Sequence, residues 1–511
     1  MYFRCRLLSL RSISSPSISN TFISRKIYEP SIPTQHYRQY SSTGFTSSHC
    51  PPPENPPADT SIDEEALRIQ TLLRTLSGQP TQKVSQQLDS SILSLSQELV
   101  LNVLRRHRSE WKTAYSFFCW VLQSSTVLSS DTSIHNEILD ILGRAKRFDE
   151  VHQVLDKMSE TKNLINEHTF ATVVRRYAAA HKVDQAIDFY NNMGNFFGLN
   201  PDPSAFQTLL LSLCRYKHVE QAENLLLERK NEFRNDIKAW NIILYGWGLL
   251  RSLPHAKRVW ENIGRLKCGP DKYTYAIFIN VLTKCGKTTT SVDLLREMWA
   301  DEGCGGPDVP TCNTVIDGLC FKKRIPEALD IFNEMGKRGC PPNVVTYNTL
   351  IKHMCKIRRM DKVNELLSEM EEKGGDCSPD SLTFGNLLRT AKNREDVDWI
   401  LERMRKIGCK MEGDTYILLL RLYIKWGEVE RAKWAWGEME REGFGPDRRS
   451  YTIFIHGYYD KGMLKPALDL FDEMVSKGMV PEPSTEELVK DMRSGSNGAG
   501  LRLRRRFLRE K

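Results

Sequence analysis

The sequence predicts an all-α fold, a solenoid superhelix of stacked helix-turn-helix hairpins, and three observations predict it. Methionines at 158, 193, 298, 335, 370, 404, 439 and 474 are separated by 35, 105, 37, 35, 34, 35 and 35 residues, and 105 is three times 35. A second mark keeps the same period: Pro201-Asp202, Pro270-Asp271, Pro307-Asp308, Pro342-Asn343, Pro379-Asp380, Pro446-Asp447 and Pro481-Glu482. Within the period, apolar residues such as Tyr347, Leu350 and Ile351 fall three and four apart, which is one face of a helix. A unit of this size cannot bury its apolar face alone, so units stack and the stack acquires a long concave surface.

The elements follow in chain order. Residues 1–40 are rich in Ser and Arg, carry apolar Leu7, Leu8, Leu10 and Ile13, and contain one acid, Glu29. They lack the continuous apolar core of a secretory signal, and dispersed positive charge suits import against a potential that is negative inside. They are expected to be a mitochondrial transit peptide rather than a chloroplast one. Arg38-Gln39-Tyr40 before Ser41-Ser42 resembles the Arg-x-aromatic pattern at which plant mitochondrial presequences are cut. Residues 41–96 open with Pro51, Pro52, Pro53, Pro56 and Pro57 and are expected to be a disordered linker and lead-in.

Residues 97–131 look like a worn first hairpin. Cutting after the Pro-Asx marks then gives ten units: 132–166, 167–202, 203–236, 237–271, 272–308, 309–343, 344–380, 381–412, 413–447 and 448–482. In each, Thr or Ser tends to stand at the third place (Thr169, Thr274, Thr311, Thr346, Thr383, Thr415, Ser450), where its oxygen is expected to cap the first helix. An aromatic usually follows it. The second helix carries a small residue at one place, Ala186, Ala222, Ala256, Ala328, Ala432 or Ala467, which lets two helices approach closely. Gly then stops the helix and Pro cannot continue it. Residues 483–511 are expected to form a short helix and a basic tail, Arg502, Arg504, Arg505, Arg506 and Arg509 after a Gly/Ser-rich stretch, which reads as a solvated, frayed end.

Composition excludes several classes. The chain is 40% hydrophobic and 27% charged, which fits neither a mostly disordered nor a membrane-embedded protein. No run of about eighteen apolar residues marks a span. The thirteen cysteines are too sparse for a disulfide scaffold and form no Cys-x-x-Cys pair. Cys268, Cys340, Cys377 and Cys409 sit three residues before the end of a unit and Cys214, Cys320 and Cys355 at the twelfth place. Such residues form a column along an array and are expected to pack, not to bind metal. The net charge of +8 is concentrated at the two ends, so the body is close to neutral and bulk charge does not establish nucleic-acid binding. Lys284-Cys285-Gly286-Lys287-Thr288 mimics the end of a phosphate loop, but Val281 stands where that motif needs Gly. There is no His-Glu-x-x-His, no Gly-x-Ser-x-Gly and no zinc-deaminase signature. Neither an enzyme nor a cofactor is expected.

A unit reading Val-Val-Thr-Tyr-Asn-Thr-Leu-Ile, then Glu-Ala-Leu-x-x-Phe-x-Glu-Met, then Lys-x-Gly-x-x-Pro-Asx resembles the pentatricopeptide repeat (PPR). The resemblance covers 132–482, and unit lengths near 35 without regular alternation resemble the P subclass. It implies a right-handed α-solenoid that binds single-stranded organellar RNA, one base per repeat, with splicing or processing proteins as further partners, no membrane, and a monomeric state. It further implies that the fifth residue of a unit contacts the base and the last residue supports it. Asn241 with Asp271 and Asn348 with Asp380 would then read uridine. Asn136 with Asn166 and Asn313 with Asn343 would read a pyrimidine. Ala171, Gln207, Ala276, Gly385, Ile417 and Thr452 at the fifth place of the other units give no base. Arg144, Arg215, Lys284, Lys356 and Lys425 at the thirteenth place correspond to the family's phosphate-contacting lysine, or are cations drawn to a helix C-terminus. The implied role is transcript maturation in mitochondria, through splicing, end processing or stabilisation. A protein-binding scaffold associated with the mitochondrial ribosome is the alternative.

Overall fold

The computed structural model of the chain describes residues 60–76, 85–89, 95–161, 164–194, 202–233, 235–266, 269–300 and 305–494. The expected transit peptide (1–40), the proline-rich start of the linker and the basic tail lie outside the described residues. By its contacts the chain divides into two compact units, Met1–Ser61 and Ile62–Lys511, and the second holds nearly all the helices. Among the described residues there is no strand. The second unit is an α-solenoid of helical hairpins.

The first helices begin at Thr132, Glu167, Pro203, Ile237, Lys272, Val309, Val344, Ser381, Gly413 and Arg448, and their partners at Phe148, Val183, Val219, Leu253, Thr288, Ile325, Met360, Arg394, Val429 and Leu464. Gln97–Arg106 and Trp111–Ser124 make a further hairpin ahead of them, and Pro483–Arg493 a helix behind them. The expectation of disorder over 41–96 needs correcting. Thr60–Thr75 is helical, with Ala66, Ile69 and Leu73 buried along one stripe, and the Trp120 indole donates to Asp89 at 2.8 Å. This helix shares no mark with the repeat, and the prolines just before it dominate the local composition.

The residue that caps each first helix also differs from expectation. The cap is the last residue of the preceding unit, not the third-place Thr. Asp202 accepts from the Ala205 amide, Asp271 from Thr274, Asp308 from Thr311, Asn343 from Thr346, Asp380 from Thr383 and Asp447 from Ser450. The short Asx side chain reaches the third amide of the helix, and the Thr there returns a bond to the cap backbone, closing a capping box at Asn166, Asp271, Asn343 and Asp380. Glu412 and Glu482, one methylene longer, make no side-chain cap.

Each first helix packs on its own partner and on the first helix of the next unit. The period-setting methionines are buried: Met158, Met335, Met370 and Met474 are fully enclosed, as are the small Ala186, Ala222, Ala256, Ala328, Ala432 and Ala467. The acid before the methionine has a structural task. In units 344–380 and 448–482 the buried fourth-place Tyr347 and Tyr451 donate to Glu369 and Glu473 at 2.8 Å, and Lys373 and Lys477 complete each trio. Successive first helices come closest between the twelfth place of one and the tenth of the next. A Cβ on Gly318 would stand 2.2 Å from Thr283 Cγ2, and one on Gly457 2.1 Å from Ile424 Cγ2. The twelfth-place Cys214, Cys320 and Cys355 are buried in this seam. Burial pushes the Cys320 thiol up to about 12 and that of Cys355 to about 11. No group of three His, Cys, Asp or Glu suited to a metal exists among the described residues.

Candidate nucleic-acid interface

The solenoid brings the fifth residue of one unit beside the last residue of the same unit, because that last residue caps the neighbouring first helix. Asn241 Nδ2 donates to Asp271 Oδ1 at 3.2 Å, and Asn348 Nδ2 to Asp380 Oδ1 at 2.9 Å. A third residue, absent from the sequence reading of the site, holds the other end of each amide. Thr274 Oγ1 donates to Asn241 Oδ1 at 2.8 Å and Thr383 Oγ1 to Asn348 Oδ1 at 2.6 Å. Each carboxylate can only accept, so it holds the NH2 and turns the amide oxygen towards the threonine hydroxyl, whose single proton is shared between that oxygen and the carboxylate, 2.7 Å away at Asp271 Oδ1 and 2.8 Å at Asp380 Oδ1. One amide proton is left for a ligand.

The other two expected pairs are built differently. Among the described residues no hydrogen bond joins Asn136 to Asn166 or Asn313 to Asn343. Asn166 Oδ1 accepts from the Thr169 amide and hydroxyl, and Asn343 Oδ1 from Val345, Thr346 and the Thr346 hydroxyl. Asn136 Oδ1 and Asn313 Oδ1 are buried with no partner. These two amides are therefore not clamped, and turning them over costs no existing bond at the oxygen.

The structure adds a third bonded pair. Gln207 Nε2 donates to Asp236 Oδ2 at 2.8 Å, at the edge of an open cleft lined by Pro203, Phe233 and Lys238. The signal was in the sequence, since Gln207 occupies the fifth place and Asp236 the last, but the longer amide matches no base. Ala171, Ala276, Gly385 and Ile417 have no polar atom to offer, and Thr452 donates to its own helix at Arg448 O. Beside these places, at the second place of three consecutive or near-consecutive units, Tyr273, Val345 and Leu382 expose large apolar side chains.

The thirteenth-place cations all lie on the last turn of a first helix and are exposed. Arg144 is occupied: it donates to Asp140 at 2.8 Å, a carboxylate that Arg175 and Arg176 also hold. Withdrawal of water around Lys284, with the positive Arg251 nearby, lowers its ammonium pKa from the ordinary lysine value. Lys356 adds to the positive field that lowers the Asp317 carboxyl, after the hydrogen bond from His353. Among the described residues, no ion pair ties Arg215 or Lys425 to an acid.

Family models for the PPR repeat match residues 273–302, 307–356, 342–393, 414–444 and 449–479, and a model for pentatricopeptide repeat-containing proteins matches 132–263. A pentatricopeptide repeat-containing protein of Arabidopsis thaliana is 45% identical over 94% of this chain and 93% of its own length. The chain belongs to the pentatricopeptide repeat family. A second Arabidopsis relative, named a mitochondrial pentatricopeptide repeat-containing protein, is 32% identical over 96% of the chain and 88% of its own length. Among solved structures, the maize pentatricopeptide repeat protein PPR10 is 22% identical, with a TM-score of 0.45, over 85% of this PPR chain and 67% of that one. Yeast Rmd9p, solved with a 16-nt target RNA, is 12% identical with a TM-score of 0.40, over 83% and 89%.

Proposed function

We propose that this PPR protein holds a pyrimidine-containing segment of single-stranded RNA along its row of first helices, and that it does so in mitochondria, in transcript maturation. The observation that carries the reading is the pair of clamped amides, Asn241 between Asp271 and Thr274 and Asn348 between Asp380 and Thr383. Each carboxylate takes one amide N–H and turns the oxygen inward towards the threonine, so what the site offers is a fixed donor. That suits uridine, whose edge presents two carbonyl acceptors around a single N–H. The unclamped Asn136 and Asn313 can turn either the donor or the acceptor outward, which suits either pyrimidine. Tyr273, Val345 and Leu382 supply apolar surface against which unstacked bases can lie. An RNA segment held this way cannot pair and resists exonucleases. The names of several relatives support a mitochondrial address.

Two measurements test it. Crosslinked RNA recovered from the mature protein is expected to map to one or two organellar transcripts; a profile spread over ribosomal RNA and protein would instead mean a ribosome-associated scaffold. Asn348→Thr with Asp380 retained is expected to move preference at that register from uridine towards guanosine, and an unaltered preference refutes base reading by unit 344–380.

A further inference from the structure

We infer that the turns between the two helices of each hairpin form one continuous cationic ridge over the first seven units, and that its fifteenth-place residues Lys146, Lys217, Arg251, Lys323 and Arg358 bind RNA phosphates. The inference rests on the RNA-binding reading above and assigns it a second, sequence-independent row of contacts.

The backbone gives the first reason. The fifteenth place is left-handed in nine of the ten units. Gly286, Gly427 and Gly462 adopt φ of 75°, 90° and 76° there, but the others are Lys146 (58°), His181 (61°), Lys217 (71°), Arg251 (53°), Lys323 (61°) and Arg358 (59°). This is a conformation that glycine adopts freely and that strains a residue with a Cβ. Five long cations stand where the chain would be more relaxed with glycine. The helix dipole favours a cation near a C-terminus, but it acts equally at the unstrained places just before the turn. It does not explain why the charge sits on the strained residue, and retained strain points to a role for the side chain.

Charge gives the second. Places thirteen to sixteen of the first seven units contain fifteen Lys and Arg and no Asp or Glu, in a body that is otherwise near neutral. In the last two units Lys425 and Lys461 are matched by Glu428 and Asp460. The ridge therefore fades where the fifth-place Asn code also fails. The sixteenth-place Arg147, Arg324 and Arg359 are paired with Glu150, Glu327 and Asp361. The five fifteenth-place cations are exposed, and among the described residues none has an ion-pair partner.

Continuity gives the third. The turns of neighbouring units touch at three of the six junctions. Cys285 Sγ donates to Arg251 O at 3.5 Å, His181 Nδ1 lies 3.1 Å from His218 Nε2, and Lys322 Nζ stands 3.1 Å from where a Cβ on Gly286 would be. Position gives the fourth. Eight residues of helix separate the fifth place from the thirteenth, about 12 Å along the axis. Two parallel rows result, one of polar readers and one of cations. A strand whose bases meet the first row turns its phosphates towards the second.

The test is a five-site variant, K146G, K217G, R251G, K323G and R358G. Glycine is already used at this place in three units, so the fold tolerates the change, and the thermal midpoint is expected to hold or rise. Binding of an oligouridine probe is measured against salt concentration. Each lost phosphate contact removes up to about 0.7 from the slope of log affinity against log salt, so the slope is expected to fall by about 2 to 3.5. Affinity at low salt should weaken at least tenfold, while the preference for uridine over adenosine stays. A control variant removes the same charge from exposed second-helix lysines, K157Q, K257Q, K337Q, K433Q and K465Q. An unchanged slope in the ridge variant, or an equal fall in the control, overturns the ridge and leaves RNA binding standing. Failure of the wild-type protein to bind any RNA would remove the parent reading instead.

Discussion

Thr383→Val is the sharpest probe of the base reading proposed for unit 344–380. Valine keeps the shape of threonine and deletes the hydroxyl that donates to Asn348 Oδ1 at 2.6 Å. Asn348 is buried, 4% exposed, and still has Asp380 Oδ1 2.9 Å from its Nδ2. The amide then loses the partner at its oxygen, and the bond to Asp380 alone holds its orientation, so the outward-facing donor is less firmly fixed. A neutral hydrogen bond of this kind contributes about 0.5–1.5 kcal/mol, so the preference for uridine over cytidine at this register is expected to fall about two- to tenfold. Affinity for the uridine RNA itself changes less. The Thr383 hydroxyl also receives the Asp380 amide at 3.1 Å, so the variant loses half of a capping box and some stability. Thr383→Ser keeps both bonds and serves as the control. The assay is equilibrium anisotropy with two RNAs that differ at one nucleotide. If the valine variant binds RNA and its uridine-to-cytidine ratio equals that of the wild type, the clamp is not what reads the base.

Other outcomes follow from the same contacts. Asp271→Ala removes the cap of helix Lys272–Lys284 and is expected to cost about 1 kcal/mol in denaturant unfolding, whereas Asp271→Ser restores most of it. Conversely, Glu412→Asp brings a carboxylate within reach of the Thr415 amide and should stabilise by about 0.5–1 kcal/mol without altering RNA preference, because Gly385 offers no side chain to hold; no gain would mean that the cap geometry is wrong. Gly318→Ala forces a methyl to 2.2 Å from Thr283 Cγ2 and should destabilise by about 1–3 kcal/mol, with Thr283→Ala in the same chain recovering the loss. Burial pushes Tyr177 and Tyr347 up to about 12 from an ordinary value near 10. Their folded pKa is the raised one, so the stability they contribute is intact below pH 10 and drains away as pH rises through 12. Phenolate absorbance and helical signal should change together in that window; ionisation at pH 10 with helices intact contradicts their burial.

The period was legible because it is made by packing. Met158, Met335 and Met474 recur since each fills the same gap between helices, and the Pro-Asx marks recur since each ends one hairpin and caps the next. What the sequence concealed lies across units. Thr383 joins the site of the preceding unit 35 residues away, a partnership that no reading confined to one unit contains. The same holds for the cap: the third-place Thr is a plausible cap within its own unit, while the oxygen that reaches the third amide belongs to the Asx that ends the unit before. Helix Thr60–Thr75 was hidden for the opposite reason: it packs on the array without sharing its repeat. The left-handed turn was invisible where it carries Lys or Arg, since only glycine announces such a conformation in a sequence.

The last residue of a unit has two tasks, and they separate what it says about folding from what it says about recognition. Asp202, Asp308 and Asp447 cap their helices although the fifth places of their units, Ala171, Ala276 and Ile417, have nothing to be held. An acid at the last place is therefore explained by capping alone. The fifth place is not under that constraint, since the helix forms with alanine, isoleucine or even glycine there. On the proposed function, it is then the fifth residue, not the pair, that would distinguish a unit that reads from one that only spaces. The proposed phosphate-binding ridge would serve reading and spacing units together: its cations stand at the turns of five of the first seven units, and a spacing unit must still carry the strand to the next reader. A long array with few readers is then a coherent design: the readers set the register, and the turns between helices hold the chain that runs past them.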